Sequence, residues 1–149
     1  MKGSCLCGGI VYEAEELASE IMHCACKTCR KAHAAAFNTA AAVEKSKFKW
    51  LQGENLLKFY ESSPGKCRYF CGNCGSQLIK TVEGRNQIVL RVGTLDEDPN
   101  KVPQLFIWAS HSVPWLSHEN QLKIFSENEV KSISNKPLQH HTLRVLDAF

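Results

Sequence analysis

Seven of the eight cysteines in this 149-residue chain fall into three tight clusters: Cys5-x-Cys7, Cys24-x-Cys26-x-x-Cys29 and Cys71-x-x-Cys74. Any fold the chain adopts has to accommodate them. A bridge across the single-residue spacer of Cys5 and Cys7 would be strained, which disfavours an adjacent redox pair. Close cysteine pairs joined through a fold instead supply the tetrahedral sulfur shell that zinc prefers, with sulfur at about 2.3 Å from the metal. Cys71-Gly72-Asn73-Cys74-Gly75 has the form of a zinc knuckle. Its glycines would let the backbone turn tightly, so that amide hydrogens point at the thiolates.

Seven is not a multiple of four, and the remainder is informative. A closed structural zinc needs four sulfurs, whereas three ligands with an open fourth position are the pattern of a catalytic site, where water or substrate enters. The natural division gives Cys5, Cys7, Cys71 and Cys74 to a structural zinc and leaves Cys24, Cys26 and Cys29 as the open, catalytic one. Counting alone also permits Cys71 and Cys74 to pair with two of the triplet. A redox-labile set of thiols that holds zinc only transiently is the rival reading of the triplet. Cys67, four residues before Cys71, is expected to be a small buried hydrophobe.

The surroundings of the triplet fit a charged substrate. Lys27, Arg30 and Lys31 offer positive charge to a zinc-thiolate centre that is net negative, and to a carboxylate on a substrate or cofactor. The plainer alternative is a solvated basic loop. His23 abuts the triplet and His33 lies four residues past Cys29, so either could assist proton transfer or simply be a hydrogen-bonded local residue. His111 and His118 are weaker candidates, and His140 and His141 sit in the C-terminal tail.

Composition bounds the rest. With 44% hydrophobic and 22% charged residues the chain reads as one soluble domain, and a chain of this length buries about 68–70% of its unfolded surface without help from a metal. A formal charge of +3, from 18 basic against 15 acidic residues, is too mild to demand nucleic acid or a membrane. Ala34 to Val43 is cut by Asn38 and Thr39 and is half a membrane span. The first residues show no apolar signal-peptide core, so a reducing cytoplasm is expected, where clustered thiols are metal ligands or catalysts more often than bridges.

Apolar segments are short and alternate with polar residues, which predicts a mostly β fold of antiparallel sheets with little helix. The expected strands are Gly9–Ala14, Ala36–Val43, Phe48–Leu51, Leu56–Glu61, Cys67–Phe70, Gln77–Val82, Gln87–Gly93 and Leu105–Ala109. Turns fall at Gln52-Gly53-Glu54, Ser63-Pro64-Gly65 and Glu83-Gly84-Arg85. Helix is expected near Lys27–His33 and in a piece after Ser126. Residues 1–126 form the expected domain and 127–149 a C-terminal tail. Leu143, Val145, Leu146 and Phe149 suit that tail to packing on the domain or on a second copy in a homo-oligomer, and fraying is the alternative.

Several ordered motifs resemble the glutathione-dependent formaldehyde-activating enzymes, a family that shares its domain with centromere protein V. They are Gly3-Ser4-Cys5-Leu6-Cys7-Gly8-Gly9, HCACKTCRKAHAAAFN from His23 to Asn38, Ser63-Pro64-Gly65, FCGNCGSQL from Phe70 to Leu78, Gly93-Thr94-Leu95-Asp96, and Ile107-Trp108 followed by Pro114-Trp115. The likeness runs roughly from Gly3 to Leu122. It implies a mostly β domain around a zinc ribbon, like that of Rab-binding exchange chaperones. It also implies two zinc ions: a structural one on Cys5, Cys7, Cys71 and Cys74, and a catalytic one on Cys24, Cys26 and Cys29. The implied activity is condensation of glutathione with formaldehyde to S-(hydroxymethyl)glutathione, named a carbon-sulfur lyase for the reverse direction. The alternative is a non-catalytic zinc-binding module for protein or nucleic acid. Two positions depart from the family: Ala34 stands where glycine is usual, and Cys67 is a cysteine where the family generally has none. Seven thiolates and two zinc ions would take the formal +3 to zero, which removes the small support for nucleic acid or membrane as partner.

Overall fold

The computed structural model describes residues 1–122 and Ile124, without the side chains of residues 118–121. The expected tail from residue 127, the helical piece after Ser126, and His140 and His141 lie outside the described residues. Two units are distinguished, Met1–Ser117 and His118–Phe149, and all the strands and the helix described below belong to the first.

The short alternating segments form ten strands: β1 (Lys2–Ser4), β2 (Val11–Ala14), β3 (Ile21–Cys24), β4 (Asn38–Glu44), β5 (Phe48–Gln52), β6 (Leu57–Ser63), β7 (Lys66–Cys71), β8 (Gln77–Val82), β9 (Gln87–Arg91) and β10 (Pro103–Ile107). The α-helix, α1, is Lys27–His33. The strands make a three-stranded sheet in the order β1-β2-β5 and a seven-stranded sheet in the order β10-β3-β4-β9-β8-β7-β6. The expected mostly β fold is present, and α1 and β8 occupy the expected residues. Two strands were not expected, β1 and β3: the first has three residues, and the second, Ile-Met-His-Cys, is too short to show a period. All pairs are antiparallel but one. β10 runs parallel to β3, with Ile107 opposite Cys24, so the larger sheet is mixed.

The seven-stranded sheet packs one face into the core, and the period of two along each strand sorts its side chains. Ala41 and Val43 of β4 stand opposite Leu90 and Ile88 of β9, and Leu90 stands opposite Ile79 of β8. These residues join Ile10, Tyr12 and Ala14 of the smaller sheet's side in one buried core. Tyr12 is fully enclosed, stacked on Phe48 at 5.3 Å and edge-on to Trp50 at 6.1 Å, and its hydroxyl is satisfied 2.8 Å from Thr94 Oγ1. Gly3 is required here, because a Cβ at that position would lie 2.2 Å from the tyrosine oxygen. On the opposite face the register places Arg68 beside Lys80, Lys80 beside Val89, Arg91 beside Ala40, and Asn38 beside Cys24.

Helix α1 is seven residues long, so its ends decide its stability. Cys26 is the N-cap, its Sγ accepting from the Cys29 amide at 3.4 Å, and Arg30, Lys31 and His33 in the last turn oppose the negative end of the dipole. At the other end Ala34 takes the left-handed conformation, φ 47° and ψ 41°, and its amide and that of Ala35 both donate to the Arg30 carbonyl. A Cβ in that conformation costs about 1 kcal/mol. The departure at Ala34 therefore strains the helix end. Ala34→Gly is expected to stabilise the fold by about 1 kcal/mol in urea unfolding, which is about 2–4 °C in Tm for a domain of this size.

Candidate metal centres

Cys5 and Cys7 lie in the β1–β2 connection, and Cys71 and Cys74 flank the turn from β7 to β8. The fold brings these four sulfurs within 4.8 Å of one another. Cys5 Sγ is 3.5 Å from Cys7 Sγ, which is 3.9 Å from Cys71 Sγ. A tetrahedron with zinc–sulfur bonds of about 2.3 Å has edges of about 3.8 Å. The pairing of clusters left open by counting is thereby decided: Cys71 and Cys74 join Cys5 and Cys7. Gly75 supplies the turn at φ +77° and sends its amide to the Cys71 carbonyl, while the sulfurs take other donors. Ile10 N donates to Cys5 Sγ at 3.2 Å, Asn73 Nδ2 to Cys7 Sγ at 3.4 Å, and Ser76 Oγ lies 3.3 Å from Cys74 Sγ. Burial pushes the Cys5 thiol up, whereas Asn73 draws Cys7 down and Ser76 draws Cys74 down. A divalent cation would hold all four as thiolates together.

Cys24, Cys26 and Cys29 form the second group, again with sulfurs within 4.8 Å of one another. Cys24 ends β3, held on one side by Asn38 of β4 and on the other by Ile107 of β10, whose carbonyl also accepts from Ala25 N at 3.1 Å. Cys26 caps α1, and Cys29 is one turn along it, which turns its sulfur back toward the other two. Burial pushes Cys24 up. It also opposes ionisation of Cys26, but the Cys29 amide and the neighbouring sulfurs outweigh it and bring that thiol down. Both groups could hold metal ions, with four and three sulfur donors respectively. Cys67 belongs to neither and is half-buried on β7, opposite Glu61 and Thr81.

The cations expected beside the triplet are placed elsewhere than the sulfurs' own cavity. Arg30 Nε donates to the Ala25 carbonyl at 3.1 Å, fixing the ligand loop. Lys27 and Lys31 line a cavity of about 480 Å³ with Tyr60, Ser62 and Arg68. The cavity of about 340 Å³ that includes Cys24 and Cys29 is lined by Lys80 and Arg91 from neighbouring strands of the same face and by Arg85 from the β8–β9 turn, together with Asn38. Sequence reasoning did not single these residues out. The available signal was a basic residue within an otherwise apolar strand, as in Ile88-Val89-Leu90-Arg91.

Of the histidines, His23 alternates away from Cys24, accepts or donates at Nδ1 with Thr39 Oγ1 at 2.9 Å, and rests on Phe37 at 4.3 Å. That is a hydrogen-bonded local role. His111 lies exposed against Trp108. His33 is different: it lines a cavity of about 540 Å³ with Arg91, Gln77 and Asn38, and its Nε2 is buried without a partner. Burial, then the charges of Arg91 and Arg68, lower its pKa to about 4.

A family model described as glutathione-dependent formaldehyde-activating enzyme matches residues 1–111. The fold is similar to the crystal structure of a Rhodobacter sphaeroides protein, with a TM-score of 0.59 and 23% identity over 71% of this chain and 98% of that one. No curated protein matches the chain. Among the described residues no helix is long and apolar enough to cross a membrane.

His33 provides a test of this environment. Its pKa lies below the unfolded value, so the unfolded chain binds the proton first, and stability falls as pH drops from about 6.5 to about 4. His33→Gln lacks that linkage, and its Tm measured across the same window is expected to decline less than that of the wild type.

Proposed function

The chain belongs to the glutathione-dependent formaldehyde-activating enzyme family, and from that premise we propose that it is a carbon-sulfur lyase of the S-(hydroxymethyl)glutathione synthase type. It joins the thiol of a glutathione-like substrate to formaldehyde or a related small aldehyde. Zinc on Cys5, Cys7, Cys71 and Cys74 is structural, and zinc on Cys24, Cys26 and Cys29 is the working ion. The observation that carries this reading is the inequality of the two groups: four sulfurs close a tetrahedron, whereas three border a cavity of about 340 Å³ through Cys24 and Cys29.

When bound to the three thiols, zinc supplies a positive centre that favours a substrate thiolate over its thiol at neutral pH. Three thiolates already offset much of that charge, so activation of the aldehyde falls on the chain's own donors. Lys80 is half-buried in the same cavity, and burial followed by Arg91 and Arg68 holds its pKa below the usual lysine range. A proton at Nζ is therefore given up more readily to an oxyanion. In the addition, the thiol's proton is released as its sulfur becomes a thiolate, sulfur bonds to the carbonyl carbon, and the π pair moves to oxygen. Oxygen takes a proton from Lys80, and the released proton restores Lys80 at Nζ. The reverse sequence is the lyase direction. Asn38, buried between the cavity and its neighbour, offers a carboxamide to the same oxygen. The ligand loop is fixed by Arg30 and by the Ile107 carbonyl, so these groups meet the substrate without rearrangement.

Cys26→Ser tests this reading without dismantling the helix, because serine is itself a good N-cap. The wild type is expected to hold two zinc ions per chain by metal analysis. The variant should hold about one, keep its Tm within a few degrees, bind glutathione at least tenfold more weakly, and yield no hydroxymethyl adduct from ¹³C-formaldehyde by NMR. One zinc in the wild type and no response to glutathione would leave a non-catalytic zinc module.

A further inference from the structure

Among the described residues, the buried side-chain nitrogens and oxygens that lack any partner are Arg91 Nε and Nη2, Arg68 Nη1, His33 Nε2 and Gln77 Oε1. They collect in one neighbourhood: Gln77, His33 and Arg91 line one cavity together, and His33 senses the charges of both Arg91 and Arg68. Natural proteins satisfy nearly all such groups, so a cluster of exceptions calls for an explanation, and a ligand bound there is one.

Arg91 is the sharpest case. It ends β9, is 4% exposed, and lines both the cavity of about 340 Å³ that includes Cys24 and Cys29 and the cavity of about 540 Å³ that includes His33. Its two orphaned atoms, Nε and Nη2, are the ones whose N–H bonds run parallel along the side of the guanidinium. That edge matches the two oxygens of a planar carboxylate. Among the described residues nothing occupies it. The ion pairs among the described residues are at Met1, Lys47 and Lys49, so no described carboxylate neutralises Arg91, and neither nitrogen has a sulfur within hydrogen-bond reach. A buried guanidinium without hydrogen-bonded partners is costly to fold, and the sulfurs of Cys24 and Cys29 favour its charge only through space, leaving the Nε and Nη2 donors unfilled.

We propose that Arg91 receives a carboxylate of the thiol substrate through its Nε and Nη2 edge, so that the site selects thiols that carry a carboxylate over neutral thiols. This rests on the proposed thiol chemistry for the sulfur end only. The carboxylate is seated at the wall between the two cavities, which leaves the sulfur end to the three-cysteine group and the remainder of the substrate to the larger, His33-lined space. Arg91 is thus a specificity-determining binding residue.

The test is calorimetric titration of the full-length, zinc-loaded protein at pH 7.5 with four probes: glutathione, glutathione with both carboxylates converted to primary amides, S-methylglutathione and acetate. The wild type is expected to bind glutathione at least tenfold more tightly than the diamide. Arg91→Lys, which keeps the charge and loses the fork, should lose most of that ratio, and Arg91→Gln all of it, while the diamide binds all three proteins alike. Equal affinity of the wild type for glutathione and its diamide would overturn the proposal, as would an unchanged ratio in Arg91→Lys. Should Arg91→Gln fail to fold, the other two proteins decide. S-methylglutathione binding as tightly as glutathione, with the same dependence on Arg91, would uphold the carboxylate site and reject the thiol chemistry. Acetate alone binding as tightly as glutathione would assign the edge to a free small acid and overturn the selection of substrate.

Discussion

Four sulfurs sharing a volume less than 5 Å across are the constraint on which the rest of the architecture depends. Two of them come from the connection between β1 and β2 in the smaller sheet, and two from the turn between β7 and β8 in the larger. Cys5 and Cys71 are also members of the hydrophobic core. The tetrad therefore joins the two sheets at a point that is also part of the core. Thiols forced this close cannot all ionise without a cation between them, so an ion bound there adds its binding free energy to folding. The tetrad sits at an end of the sandwich and leaves the opposite face of the larger sheet free of structural duty.

That face is where charge accumulates. Arg68, Lys80 and Arg91 stand on three neighbouring strands, placed in register by ordinary antiparallel pairing, and Cys24 enters the same surface from β3. The core face holds Ala41, Val43, Ile88 and Leu90. One sheet therefore presents a dry side to the smaller sheet and a cationic side to the three-thiol group. Helix α1 belongs to the second side: its capping sulfur is Cys26 and its only buried residue is Cys29. A short, strained helix ending at Ala34 is stable there because the thiol group and the surrounding packing fix it.

Much of this was legible in the chain. The helix Lys27–His33, the strand Gln77–Val82 and the glycine turns follow from local chemistry, and the two groupings of cysteines that could hold metal follow from the spacing of seven cysteines together with the family likeness. What escaped has physical reasons. Ile21–Cys24 is too short for a pattern and becomes a strand by pairing on both sides, including the parallel contact with β10 that no local signal encodes. Lys27, Arg30 and Lys31 drew attention because they are adjacent to the cysteines in sequence, yet Lys80 and Arg91 share the cavity because sheet register places them there. A basic residue in a strand normally reads as a solvated side chain. Arg91 is nevertheless buried.

The alternation along β4 and β9 has a consequence for how such a protein can diversify. Consecutive residues serve different masters: Leu90 answers to the core and Arg91 to the cavity. Substitutions at odd and even positions of one strand therefore fall into nearly independent sets, one facing the core and the other facing the cavity. A lineage can exchange the cations of the cavity without disturbing the tetrad that closes the sandwich. The same fold can then be kept intact while the lining of that cavity changes.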